Sequence, residues 1–451
     1  MHIKKRASGL LSIAFTFAVA LAISVCPGAG SGLAAPGDGT QTTAATNSAE
    51  ATEQLDFAII NGLYTNASPY AVSIPLQMKW SYEVGEHQRL GQPVLDQQGN
   101  IVVQHNKGIA CLYPAGALNW QTTAYAGDRA PYPRLRPTLG KDDSVFTLAE
   151  FTQQSESELT LKEHVFYCLD SEHELKTWYR TPRSFNALPA VMPDGRVLVA
   201  VGDVGILAYD PVDYLSEKLL TIRDSLFNGQ VAISPRGQAY FISTNMLWKI
   251  TGDGEILWSI ELPQGFYDKP DLEDYQQPGE SWSLGFTPNY VPHHGPLIDD
   301  KGDAYAGVGL YELVKFDSGG WVRWRKNIRA MESMACIASS CYLYVVDPED
   351  RIWRIRLNGS TSLFLDVREI MPKEREDIGG DYRAGGQRLI CVDNNGVLCL
   401  PIGNQLYFIS ANAEVLQVLD LPLTVSNRVA IGSDGSIYCT CTNGTLYALG
   451  Q

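Results

Sequence analysis

The chain has 451 residues, 45% of them apolar, and a formal net charge of −15 at pH 7. That apolar fraction excludes a disordered chain and supplies a large core. The acidic balance repels phosphate backbones, so nucleic acid is not expected as a partner.

The first element is a targeting segment. Lys4, Lys5 and Arg6 precede an apolar run from Gly9 to Val25, and small residues follow. This reads as a secretory signal peptide over residues 1–35, cleaved between Gly28 and Ala35. Val25 is too bulky for a lipoprotein box, so lipid anchoring at Cys26 is not expected. No later stretch is long and apolar enough to cross a bilayer. Residues 36–75 open with small polar residues and are read as a flexible tether. The expected compartment is outside the cytoplasm: extracellular, cell-surface or periplasmic. Residues 1–35 hold three Lys/Arg and no Asp/Glu, so the mature charge is near −18, from 32 basic against 50 acidic residues.

From residue 76 onward a repeat sets the fold. Segments 95–120, 191–210, 233–258, 298–324, 392–410 and 431–449 share one pattern. An apolar strand ends in a polar turn closed by Gly99, Gly195, Gly237, Gly302, Gly396 or Gly435, where a tight hairpin needs positive φ. Two further apolar strands follow. A fourth often ends in Trp, as at Trp120, Trp258 and Trp324. Residues 132–180 fit with a longer middle hairpin, and residues 332–366 fit with Cys341 in place of the turn glycine. Four antiparallel strands per repeat of about 40 residues make a propeller blade. The last repeat has only three strands, and Trp80 lies in a lone outer-type strand (78–84). The two are expected to pair, giving an all-β, eight-bladed β-propeller whose last blade is closed by the N-terminal strand, with no open sheet edge.

These residues resemble the PQQ-like repeats of the quinoprotein alcohol dehydrogenase-like propellers. The resemblance is carried by the D-x-x-G turns, by Leu207-Ala208-Tyr209-Asp210 and Leu446-Tyr447-Ala448-Leu449, and by Gly-x-x-x-Trp ends such as Gly254 to Trp258. Non-catalytic relatives include the outer-membrane assembly lipoprotein BamB. Catalytic members bind the quinone PQQ over the channel, using an adjacent Cys-Cys disulfide and a Ca²⁺ site. This sequence has no Cys-Cys pair, so the resemblance implies the scaffold without PQQ, Ca²⁺ or another cofactor, and no catalytic residue.

Long loops on a rigid frame are where binding tends to sit. Residues 151–163 lengthen a loop between second and third strands; residues 263–292 and 368–386 lengthen links between blades. Propeller topology puts all three on one face. The longest holds carboxylates (Asp268, Asp271, Glu273, Asp274) among aromatics (Phe266, Tyr267, Tyr275, Trp282, Phe286, Tyr290) and is followed by His293 and His294. It is the candidate binding face, for a protein, a peptide or a cell-envelope glycan, although its aromatics could equally pin the loop to the blades. No metal-ligand spacing occurs there.

Lys249, Lys315 and Arg354 take the alanine position of the Leu-Tyr-Ala-Leu string in successive blades; they read as snorkelling side chains or as an anion ladder. Cys111 and Cys168 take the same position as small core residues. Cys336 and Cys341 flank a hairpin turn and suit a cross-turn disulfide. The expected function is that of a monomeric, non-enzymatic binding scaffold of the bacterial cell envelope. The alternative is an enzyme on the same face, a divergent quinoprotein oxidoreductase or a glycan-active hydrolase or lyase.

Overall fold

The computed structural model describes residues 67–84, 90–106, 108–122, 132–133, 136–154, 160–181, 187–213, 215–222, 227–243, 246–262, 295–308, 312–328, 333–337, 342–347, 350–371 and 390–451. These form eight sheets built around a four-strand antiparallel order, with one short parallel pair where Ala187–Leu188 lies against Phe227–Ile233. Blade 1 runs Val94–Leu95, Ile101–His105, Gly108–Leu112, Leu118–Thr122, from the innermost strand outward. Blades 2 to 7 follow in chain order, with outermost strands Leu175–Thr181, Leu215–Thr221, Ile256–Glu261, Val322–Asn327, Thr361–Asp366 and Val415–Asp420. Blade 8 takes three strands from the C-terminus and its fourth, Gln77–Glu83, from the N-terminal side; Gln77 pairs Gly450 and Glu83 pairs Thr445. The expected eight-bladed ring and its closure are both present.

Burial explains the residue choices. Second and third strands are covered on both sides by neighbouring blades, so Ile101–His105 and Gly108–Leu112 are buried throughout. Outermost strands touch the core on one side only, and their burial alternates, as in Ile256–Glu261 and Val415–Asp420. Each apolar cluster spans consecutive blades. One joins blades 8 and 1 (Tyr438, Ala448, Ile101, Leu112), another 1 and 2, others 2 and 3, and 3 and 4; one spans 4 to 6, and the last two join 6 to 7 and 7 to 8. The core is therefore a closed belt of blade-to-blade contacts. The six turn glycines of the repeat all have φ between +72° and +94°.

Three features differ from the sequence reading. Residues 151–163, expected as a lengthened loop, are largely strand: Val145–Gln154 and Thr160–Leu169 stay in register out to Gln154 opposite Thr160. The start of 368–386 is a short helix, Val367–Ile370, whose N-cap Asp366 accepts from the Arg368 amide. Residues 67–75, given to the tether, lie against blades 7 and 8. Ala67 bridges Val392 in parallel, Val72 N–H donates to Asp393 Oδ2 at 2.9 Å, and Ser73 N–H donates to the Gly435 carbonyl at 3.2 Å. This strap runs from the innermost strand of blade 7 to the outermost strand of blade 8.

Candidate functional site

Phe266, Tyr267, Asp268, Asp271, Glu273, Asp274, Tyr275, Trp282, Phe286, Tyr290, His293 and His294 lie outside the described residues. So does Cys341, and with it the cross-turn disulfide to Cys336. The strands around them are described. The 263–292 stretch leaves the outermost strand of blade 4 at Glu261 and returns to the innermost strand of blade 5 at Leu297. The 368–386 stretch runs likewise from Asp366 of blade 6 to Cys391 of blade 7. Both connect outermost to innermost strands, and antiparallel alternation puts such links at one end of the ring.

The repeat's recurring polar and aromatic side chains build the joints between blades. Trp258 Nε1 of blade 4 donates to the Ser318 carbonyl of blade 5 at 3.1 Å, and Trp324 Nε1 of blade 5 donates to Leu357 of blade 6 at 3.0 Å. Trp80 of blade 8 does the same to Pro114 of blade 1 at 2.9 Å. Each indole lies over the turn between third and fourth strands of the next blade, and a glycine there makes room. A Cβ on Gly116 would sit 2.7 Å from the Trp80 ring, and one on Gly359 would sit 2.9 Å from Trp324. In blade 2 the turn carries His173 at φ +63° instead, and its imidazole stacks on Trp120 with centroids 3.9 Å apart.

The basic ladder serves the same joints. Lys249 Nζ donates to the Ser318 carbonyl at 2.7 Å, Lys315 Nζ to Leu357 at 3.2 Å, and Arg354 Nη1 to Ala411 at 2.9 Å. Lys249 and Lys315 are only 5% and 7% exposed, so neither snorkels to bulk water. Lys315 is compensated by Asp303 at 2.8 Å and Asp299 at 3.7 Å. Each cation also stands over a tyrosine ring of its own blade, Lys249 over Tyr240 and Lys315 over Tyr305, both 5.1 Å from the centroid. Burial, with the charge of Arg236 adding, lowers the Lys249 pKa. Periodicity could place these residues but not their partners, which are 42 to 69 positions away in sequence.

The thiols are core groups. Cys111, Cys168, Cys391, Cys399, Cys439 and Cys441 are buried and free. Burial, with the Asp96 charge adding, pushes Cys111 up to about 12, and burial pushes Cys168 up to about 11, far from the low values of a nucleophilic thiol. One acidic group with metal-like spacing occurs among the described residues, Asp170, Glu172 and Glu174. The Lys176 ammonium bridges two of its three carboxylates, 2.8 Å from Asp170 and 2.9 Å from Glu174, and offsets part of their charge. Among the described residues no helix is long and apolar enough to cross a membrane.

No protein-family model matches the chain. The outer membrane protein assembly factor BamB of Alkalilimnicola ehrlichii is 33% identical over 113 residues, a match spanning 24% of each chain. BamB of Moraxella catarrhalis superposes with a TM-score of 0.54 at 10% identity, covering 83% of this chain and 100% of that one. Virginiamycin B lyase of Staphylococcus aureus gives a TM-score of 0.45 at 11% identity, covering 83% and 99%. In fold, the chain is an eight-bladed propeller similar to BamB, with sequence likeness over about a quarter of its length.

Proposed function

We propose that this chain is an exported, non-enzymatic scaffold that presents one end of its propeller to a protein partner of the cell envelope. The observation that carries this reading is topological. The two longest blade-to-blade connections, between Leu262 and Leu297 and between Met371 and Ile390, spring from the same end of a closed ring. The aromatic and acidic residues of 263–292 belong to one of them, and that composition suits a contact surface. Two sets of described side chains are committed elsewhere in the fold. The six described thiols are buried in the core, and the described Lys and Arg of the ladder are committed to blade joints. The partial likeness to an outer membrane protein assembly factor favours a protein partner over a glycan.

A photo-crosslinking amino acid at Tyr275 or Trp282, compared with one at Lys326 on the outer edge of blade 5, tests the reading in the native host. Discrete adducts with an envelope protein from the first two positions alone are expected. Adducts of equal yield from all three, or turnover of an added quinone-dependent substrate by the purified protein, contradict it.

A further inference from the structure

We propose that the channel-side edge of blade 7 is taken by this chain's own apolar segment, residues 57–64, laid along it as an added inner strand. The innermost strand of blade 7, Cys391–Val392, has two backbone edges. Cys399 and Leu398 of the second strand pair with one of them in antiparallel register. Ala67 bridges Val392 in parallel, and Ser68 N–H donates to the Val392 carbonyl at 2.7 Å. The strap therefore meets the other edge, the one turned to the channel. Parallel pairing also fixes a direction. After Val392 the chain enters the first hairpin turn, where Asp393 N–H donates to the Val397 carbonyl at 2.9 Å. A chain that continues the strap's register backward from Ala67 runs the opposite way, past Cys391 and Ile390 and along the channel.

Residues 1–66 lie outside the described residues, and their sequence changes character before the strap. Over 37–54 alanine is the only apolar side chain, whereas 55–64 read LDFAIINGLY, with seven apolar residues in ten. Phe, Ile and Tyr suit a pleated, half-buried surface, and a stretch of this composition gains by leaving water. Its length fits the edge. Eight extended residues span about 26 Å, against about 17 Å for a five-residue strand such as Leu398–Ile402. There is also space to fill. A cavity of about 130 Å³ opens beside strap residues 67–70, and its wall includes Val94 and Leu95 of the innermost strand of blade 1 and Ile431 of that of blade 8. Tyr64 stands three residues before Ala67, so about 10 Å of extended chain brings its ring to this wall. Addition of a strand to an open edge is a general mode of peptide capture. Attachment at Ala67 holds this segment at an effective concentration on the order of millimolar, which favours it over a free peptide.

Photo-crosslinking in the purified full chain at high dilution tests this. A photo-crosslinking amino acid at Ile60 or Tyr64 should give adducts within one molecule that map to Cys391–Val392, Val94–Leu95 or Ala430–Ile431. The same probe at Thr42 should give none there. Amides of 57–64 should exchange with solvent at least tenfold more slowly than those of 40–47. Ile59→Asp combined with Ile60→Asp should erase that difference while the blades keep their own protection. The proposal is overturned if adducts from Ile60 and Tyr64 fall on the outermost strands, or form only between molecules, which would give the edge to a second copy. It is also overturned if 57–64 exchange as fast as 40–47.

Discussion

The joint between blades 5 and 6 and the joint between blades 7 and 8 solve one problem in two ways. At the first, Trp324 and Lys315 both donate to the Leu357 carbonyl, in a turn that the chain makes between third and fourth strands. Blade 8 has no such turn, because its fourth strand comes from the N-terminal side and not from the chain that follows its third. The position of the indole in blade 7 is therefore Gln417, four residues after Ala413. Its amide accepts from Leu76 N–H at 2.8 Å and donates to the Leu76 carbonyl at 2.7 Å, just ahead of the closing strand. The difference shows that the repeat's hallmark residues are specified by the neighbouring blade's backbone more than by their own strand.

The joint between blades 6 and 7 adds a third case. Four residues after Gly359 stands Leu363, but the bulge of this strand pair falls late, between Ile352 and Trp353, instead of beside the turn. That shift sends Leu363 to the solvent face, where it is 51% exposed, and leaves Arg354 as the residue that reaches the next turn.

These contrasts rank the expected effects of substitution. Trp324→Ala should cost about 3 kcal/mol in denaturant unfolding, whereas Leu363→Ala should cost less than about 1 kcal/mol. Equal losses would mean that the indole does not hold the joint. Gly359→Ala should cost about 2 kcal/mol, since the new methyl meets the Trp324 ring at positive φ. Ala413→Gly, at φ +67° in the corresponding turn of blade 7, should instead gain up to about 1 kcal/mol. Gln417→Ala should cost about 1–2 kcal/mol and speed hydrogen exchange in 77–83 and 445–450 while leaving blade 5 unchanged. The thiols give the smallest effect near neutrality. Cys111 and Cys168 are raised in the folded state, so their contribution is full below the unfolded thiol pKa. It is lost as pH rises toward about 11 to 12. Stability should thus fall from pH 8 to 11, and less steeply in a Cys111→Ala, Cys168→Ala variant.

Much of this was legible in the residues. The turn glycines, the Trp that ends many fourth strands and the orphan Trp80 strand point to eight blades and their closure, because hairpin chemistry is local and repeats. Partners across joints were not legible: Gln417 meets Leu76 from 341 positions away, and nothing in either segment's pattern marks it. The 151–163 stretch reads as loop because its Gln, Ser and Glu are polar, yet the backbone pairing of Val145–Gln154 with Thr160–Leu169 needs no apolar residues to extend it. The strap over 67–75 is missed for a related reason: its own backbone groups make bonds that any sequence can make, although Tyr70, Val72 and Ile74 also pack on the core. The candidate face was read from composition and connection length, and the described strands add only where its connections leave and rejoin the blades.

The division between a frame held by its joints and a binding end carried by its connections is tested most directly by replacing 263–292 with a short Gly/Ser linker. Melting temperature and photo-crosslinking from a probe on the 368–386 connection would be measured in the same preparation. The melting temperature should stay within a few degrees of wild type while the envelope-protein adduct is lost. A collapse in melting temperature, or an undiminished adduct, would contradict the division.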